Sequence, residues 1–266
     1  LKERKDTDMN LTLDHIVHFI KDNPSKAVDE LQRQGFKAVV GGSHEQWGSY
    51  NSLLYLHSSY IEFLAVEEES IAARSNNPLI SQLVSDLSDG EGIGQLCFRT
   101  DAIEELSKSF QTKGFEPLPI FNGSRKRKDG VTIHWKMLFL KNTGDVPFPF
   151  FIQWEQDDEC RYAEFKEQGL LDEKLLETKV DSLYFAVENK QVPTEAWAKL
   201  FNVAVEIDSN EARIRVGELN IIFKEPSEGN TLVADTLSNR RECPFAVKLH
   251  PPLNNGELHL FGSFYC

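Results

Sequence analysis

Two ionisable side chains interrupt apolar strands early in the chain. His15 lies within Leu13–Ile20 (LDHIVHFI) and Glu62 within Ser59–Val66 (SYIEFLAV). A histidine so placed is either a core imidazole satisfied by a backbone carbonyl or a working group. A glutamate there is either solvent-facing or a pocket acid. His44 sits in a loop with Gly41, Gly42, Trp47 and Gly48; such loops bring backbone close to ligands and also make ordinary turns. Glu62 and His44 are the candidate acid–base residues. Arg127 and Trp135 suit the clamping of an anionic or planar group, or else are a surface arginine and a packed tryptophan. There is no glycine-rich phosphate loop, no G-x-S-x-G and no H-E-x-x-H. Cys97, Cys160, Cys243 and Cys266 are far apart and form no C-x-x-C, which argues against a zinc ribbon or a disulfide framework.

These residues sit on elements that repeat. Three apolar segments read as first strands: Leu13–Ile20, Gly94–Thr100 (GQLCFRT) and Asp181–Val187 (DSLYFAV). A helical stretch follows each, at Ser25–Phe36, Asp101–Phe115 and Thr194–Phe201. Its apolar face is Ala27, Val28 and Leu31 in the first and Ile103, Leu106 and Phe110 in the second. Gly35 and Gly114 stand where a helix end wants a positive φ, and Asp101 is placed as an N-cap. Further strands come next: Ser52–Leu56 and Ser59–Val66, then Thr132–Leu140 and Phe150–Trp154, then Ala212–Val216 and Leu219–Phe223. Tight turns such as His57–Ser59 make them antiparallel. A tail pair, Phe245–Leu249 and Glu257–Phe264, closes the chain. The links are a charged stretch with a helix at Pro78–Leu87, a basic hairpin tip at Asn122–Gly130, and a helical segment at Asp157–Lys179. The expected fold is α+β, with curved mixed sheets and helices outside them.

Composition removes other classes. The chain has 266 residues, 29 basic and 42 acidic, for a net charge of −13. That disfavours nucleic-acid binding. No apolar run approaches the roughly 20 residues of a membrane helix, and Leu1–Asn10 is charged, unlike a secretory signal. A reducing cytoplasm is the expected compartment, with no membrane partner and a monomer or homodimer as the expected state.

The D-H-I of Asp14–Ile16 and the Y-I-E of Tyr60–Glu62 resemble the vicinal oxygen chelate superfamily. GGSHEQWGSYN (Gly41–Asn51), YIEFL (Tyr60–Leu64), CFRT (Cys97–Thr100), RKDG…W (Arg127–Trp135) and PFFIQW (Pro149–Trp154) resemble the bacterial glyoxalase-like domain proteins. The resemblance implies repeated βαβββ units, the first two paired into an open cup over residues 11–165. Residues 180–266 form a third, degenerate unit. It also implies ligand-binding positions at His15 and Glu62 from unit one and at Gln95 and Gln153 from unit two. The metal-holding pair among them is His15 and Glu62. One His and one Glu supply a single negative charge and two glutamines are neutral, so a divalent zinc, nickel, manganese or iron ion is expected to be held weakly. The implied function is small-molecule binding in the cup, with metal-assisted lyase, isomerase or oxygenase chemistry. The alternative is non-catalytic sequestration of the kind that confers resistance.

Overall fold

The computed structural model describes residues 11–126, 130–229, 231–253 and 256–266. Unit one runs β1 (Thr12–Phe19), α1 (Ser25–Arg33), β2 (Val39–His44), β3 (Ser49–Tyr55) and β4 (Tyr60–Val66). Then come α2 (Glu69–Ala72) and α3 (Pro78–Asp89). Unit two is β5 (Gly92–Arg99), α4 (Ile103–Thr112), β6 (Phe121–Lys126), β7 (Thr132–Leu138) and β8 (Phe150–Trp154). The link carries α5 (Asp158–Glu167). Unit three is β9 (Lys179–Ala186), α6 (Gln191–Phe201), β10 (Val205–Ile207), β11 (Glu211–Val216) and β12 (Leu219–Lys224). It is followed by α7 (Thr231–Arg240), β13 (Cys243–His250), β14 (Leu258–Leu260) and β15 (Ser263–Tyr265).

Local chemistry accounts for the helices. Ala27 and Leu31 bury one stripe of α1, and Ile103, Leu106 and Phe110 bury one of α4. Both helices stop just before a glycine with φ above +80°, Gly35 and Gly114, a conformation that residues with a Cβ avoid. Asp101 does not cap α4. The Thr100 hydroxyl accepts from Ala102 N (3.2 Å) and the Gln153 side chain accepts from Ile103 N (3.0 Å). β2 escapes pattern reading because Gly41 and Gly42 break its apolar alternation.

Units one and two form an eight-stranded sheet in the order β2-β3-β4-β1-β5-β8-β7-β6. β1 is parallel to β4 and antiparallel to β5, and β5 is parallel to β8. The edge strands β2 and β6 come into contact, so the sheet curls into a nearly closed cup. The rest of the chain forms a seven-stranded sheet, β10-β11-β12-β9-β13-β15-β14. There β9 is parallel to β12, and β13, antiparallel to β9, is parallel to β15. β13 to β15 therefore stand to unit three as unit two stands to unit one, without a helix between the strands.

The two sheets pack back to back. Ile16, Phe63, Phe98 and Phe151 of the first share one core with Leu183, Phe185 and Val247 of the second, and with α1, α4 and α6. Each such side chain removed from water contributes about 1.5–3 kcal/mol. The other face of the first sheet buries Val17, Phe19, Leu64 and Phe150 against Leu79, Ile80 and Leu83 of α3. No helix among the described residues is long and apolar enough to cross a membrane.

His18 joins the sheets. Its Nδ1 lies 2.6 Å from the Tyr265 hydroxyl, and its Nε2 donates to the Phe261 carbonyl at 2.9 Å. Burial drives its pKa down to about 3, against the Phe261 bond that raises it. The unfolded chain takes up this proton near 6.5, so the contribution to stability is whole above that pH and is lost on acidification. The loss is about 1.4 kcal/mol per pH unit. Urea unfolding followed from neutral pH to about pH 5 should show His18→Gln flattening the decline by that slope. An unchanged slope would mean the imidazole is not held neutral between the sheets.

Candidate functional site

A β-bulge builds the centre of the site. On β1, Leu13 pairs with Phe98 and His15 with Cys97, so Asp14 is an extra residue. Simple alternation puts Leu13 on the His15 face. Instead Leu13 packs in the core between the sheets, and both Asp14 and His15 turn into the cup. A second bulge at Gly94 sends Ile93 to the outer core in the same way.

Asp14 is 2% exposed. Its Oδ1 lies 2.7 Å from His15 Nδ1 and its Oδ2 3.0 Å from Trp154 Nε1. Arg161 approaches to 3.4 Å and Arg99 to 3.9 Å. Burial pushes this carboxyl up, but Arg161, the His15 hydrogen bond and Arg99 outweigh it and hold the group well below the usual carboxylate range. A permanent carboxylate fixes the proton of His15 on Nδ1. Nε2 is then left facing Glu62 Oε2, 3.4 Å away. The ring is held by stacking on Tyr60, with centroids 4.6 Å apart, and by the edge of Phe150.

Glu62 is fixed from its other side. Asn51 Nδ2 donates to Glu62 Oε1 at 2.6 Å, while Asn51 Oδ1 accepts from Gly42 N and from Arg125 Nη1. A Cβ on Gly41 would collide with Asn51 and Arg125, which explains the paired glycines. His44 sits at the end of β2 with its Nδ1 3.1 Å from Ser49 Oγ. Burial lowers its pKa to about 4, against the pull of Glu62, so the ring is neutral at pH 7. Burial also raises Tyr60 and Cys97 well above their ordinary values, helped by Asp14 and Glu62.

His15, Glu62, His44 and Trp135 line one cavity of about 200 Å³, together with Tyr60 and Phe150. α5 crosses its mouth with no residue of its own buried, and Arg161 and Phe165 reach inward from it. Arg161 stacks over Trp154 at 4.1 Å. Two expected residues are elsewhere. Gln153 faces the opposite side of β8, where it caps α4. The cavity side of that strand is Phe150, Ile152 and Trp154. Gln95 is on the inner face but lies under α3, bonded to Gln82 and to the Phe148 carbonyl. Arg127 lies outside the described residues. Asp14, Arg125, Trp154 and Arg161 enter the site without having been singled out. The Asp14–His15 neighbourhood was visible in D-H-I, but alternation assigned the pair to opposite faces.

The donor set can be tested against a divalent metal. Asp14, His15 and Cys97 bring ligand atoms within 4.8 Å of one another, all buried. Asp14, however, is already engaged by His15, Trp154 and two guanidiniums. Among the described residues His15 Nε2 and Glu62 Oε2 converge in the cavity at 3.4 Å, and the lining that unit two adds includes Trp135, Phe150 and Ile152. Two ligands fall short of the three or four that hold such an ion. The donors that converge among the described residues do not fit the superfamily's metal centre.

A sequence profile of the glyoxalase-like domain matches residues 13–201. No curated protein matches the sequence significantly. A hypothetical protein from Staphylococcus aureus superposes with a TM-score of 0.79 at 19% identity, over 96% of this chain and 98% of that one. A mutant 4-hydroxymandelate synthase from Streptomyces coelicolor superposes with a TM-score of 0.56 at 11% identity, over 91% of this chain and 71% of that one. At such identities these likenesses establish the fold alone, and the profile match covers most of the chain. The chain belongs to the glyoxalase-like domain family of the vicinal oxygen chelate superfamily.

Proposed function

We propose that the cup binds a small, largely apolar carbonyl compound and moves a proton at the carbon beside the carbonyl. The supporting observation is the 3.4 Å approach of His15 Nε2 to Glu62 Oε2, with Asp14 holding the other ring nitrogen. Glu62 takes the carbon-bound proton, and the electron pair moves onto the carbonyl oxygen as an enolate. The proton passes to His15 Nε2, whose imidazolium form Asp14 stabilises. Neutral His44 is suited to donate a hydrogen bond to the enolate oxygen from Nε2, because an unprotonated imidazole does so without adding a charge. Aromatic side chains wall the cavity, and Arg161, Glu164 and Phe165 of α5 border it. No step passes through a metal.

The test is exchange of carbon-bound hydrogen for deuterium, followed by NMR across a panel of small aldehydes, ketones and thiol hemithioacetals. The folded protein should catalyse exchange for at least one compound that binds. Glu62→Gln should lower that rate roughly a hundred- to ten-thousand-fold while binding persists. His15→Gln should also slow it. Binding without exchange for every compound would leave a sequestering protein and overturn the catalytic reading.

Calorimetric titration with nickel, zinc and manganese checks the donor set. The parent should bind these ions weakly, and Gln95→His with Gln153→Glu should not improve it, since Gln153 faces α4. Phe150→Glu, in a variant shown to be folded, places an oxygen beside His15 and should raise affinity about tenfold or more. Tight binding by the parent would refute the two-ligand account.

A further inference from the structure

Charge is unevenly distributed around the cup. Among the described residues two guanidiniums reach the cavity, Arg125 and Arg161. Arg161 is committed, since it lies 3.4 Å from both Asp14 and Asp158 and stacks on Trp154. Arg125 differs. Its partner among the described residues is the neutral amide oxygen of Asn51, at 3.2 Å, and not a carboxylate. It is half-buried, lies along the backbone of Gly41 and Gly42, and stands where the edge strands β2 and β6 meet. Three carboxylates also border the cavity. Glu62 is bonded by Asn51 and faces His15. Glu155 and Glu164 come from beyond β8, on the side covered by α5. Among the described residues Arg125 is therefore the cavity guanidinium that meets no carboxylate at salt-bridge distance.

We propose that Arg125 receives the carboxylate of the ligand, so that the cup takes small apolar monocarboxylates. This rests on the reading of the cup as a ligand site and adds the class and orientation of what it takes. A guanidinium in a partly desolvated pocket pairs with a carboxylate through two parallel N–H···O bonds. A single side chain, Asn51, links Arg125 to Glu62. A carboxylate seated on Arg125 thus brings the carbon atoms nearest to it toward Glu62 and His15. The rest of the ligand extends along Trp135 and Phe150 toward α5. An ammonium or other cation at the same end would face Arg125 across a medium of low dielectric and is excluded by like charge.

Two matched pairs of probes test this by calorimetry, phenylacetate against phenylacetamide and hexanoate against hexanamide. In the intact protein the acid should bind about tenfold or more tightly than its amide, and added salt should narrow the gap. Arg125→Gln should remove the preference, so that acid and amide bind alike, in a variant shown by circular dichroism to be folded. Arg125→Lys should restore part of it. Equal binding of acid and amide, or a preference that survives Arg125→Gln, overturns the proposal and leaves the cup as a neutral pocket. Failure of either acid to bind at millimolar concentration also overturns it. Preference for the acid without any hydrogen exchange would sink the catalytic reading alone.

Discussion

Asp14 carries a charge among aromatic rings, where an ion stripped of water loses several kcal/mol of hydration. Four groups compensate, and each comes from a different place in the chain. His15 is its neighbour on the bulge, Trp154 ends β8, Arg99 ends β5, and Arg161 descends from α5. The carboxylate thereby ties together both halves of the cup and the helix over its mouth. It also decides the chemistry of His15, because only an ionised partner pins the imidazole proton on Nδ1 and leaves the other nitrogen free. Neutralise Asp14 and the strand bulge, the indole and the covering helix lose their common anchor.

The second sheet shows what the same scaffold looks like without that arrangement. Asp181 and Ser182 occupy on β9 the places of Asp14 and His15, and the serine hydroxyl bonds the aspartate at 2.7 Å. Ile222, aligned with Tyr184, stands where Glu62 is aligned with Val17 in the first. Hydroxyl and hydrocarbon replace imidazole and carboxylate, and Asp181, paired with Lys248, lies at the surface. The second sheet instead supports the first, through the shared core and the His18 clasp.

Periodicity exposed most of the architecture because burial writes itself into alternation. The order of strand, helix and strands could be read from Leu13–Ile20, Ala27, Leu31 and the apolar strands that follow. His15, Glu62 and His44 were legible as chemically interesting because polar groups in apolar surroundings stand out. What alternation hides is a change of phase. One inserted residue at Asp14 reverses which neighbours of His15 face the cup, and Gly94 does the same on β5. The family resemblance placed Gln153 of PFFIQW in the site, whereas the pleat turns it to the helix it caps. Arg161 was hidden for another reason: it sits in a charged link, and only the tertiary fold gives that link a surface to cover.

The meeting of β2 and β6 has a mechanical meaning. Every other neighbouring pair in the eight-stranded sheet is joined by a ladder of backbone hydrogen bonds. At this junction the strands touch through Arg125 lying against Gly41 and Gly42. A fully hydrogen-bonded barrel resists dilation because widening breaks several bonds at once. Among the described residues the circumference is interrupted here, where side chains and not a backbone ladder join the strands. The girth of the cup is set at this junction by side chains and not by a ladder of hydrogen bonds.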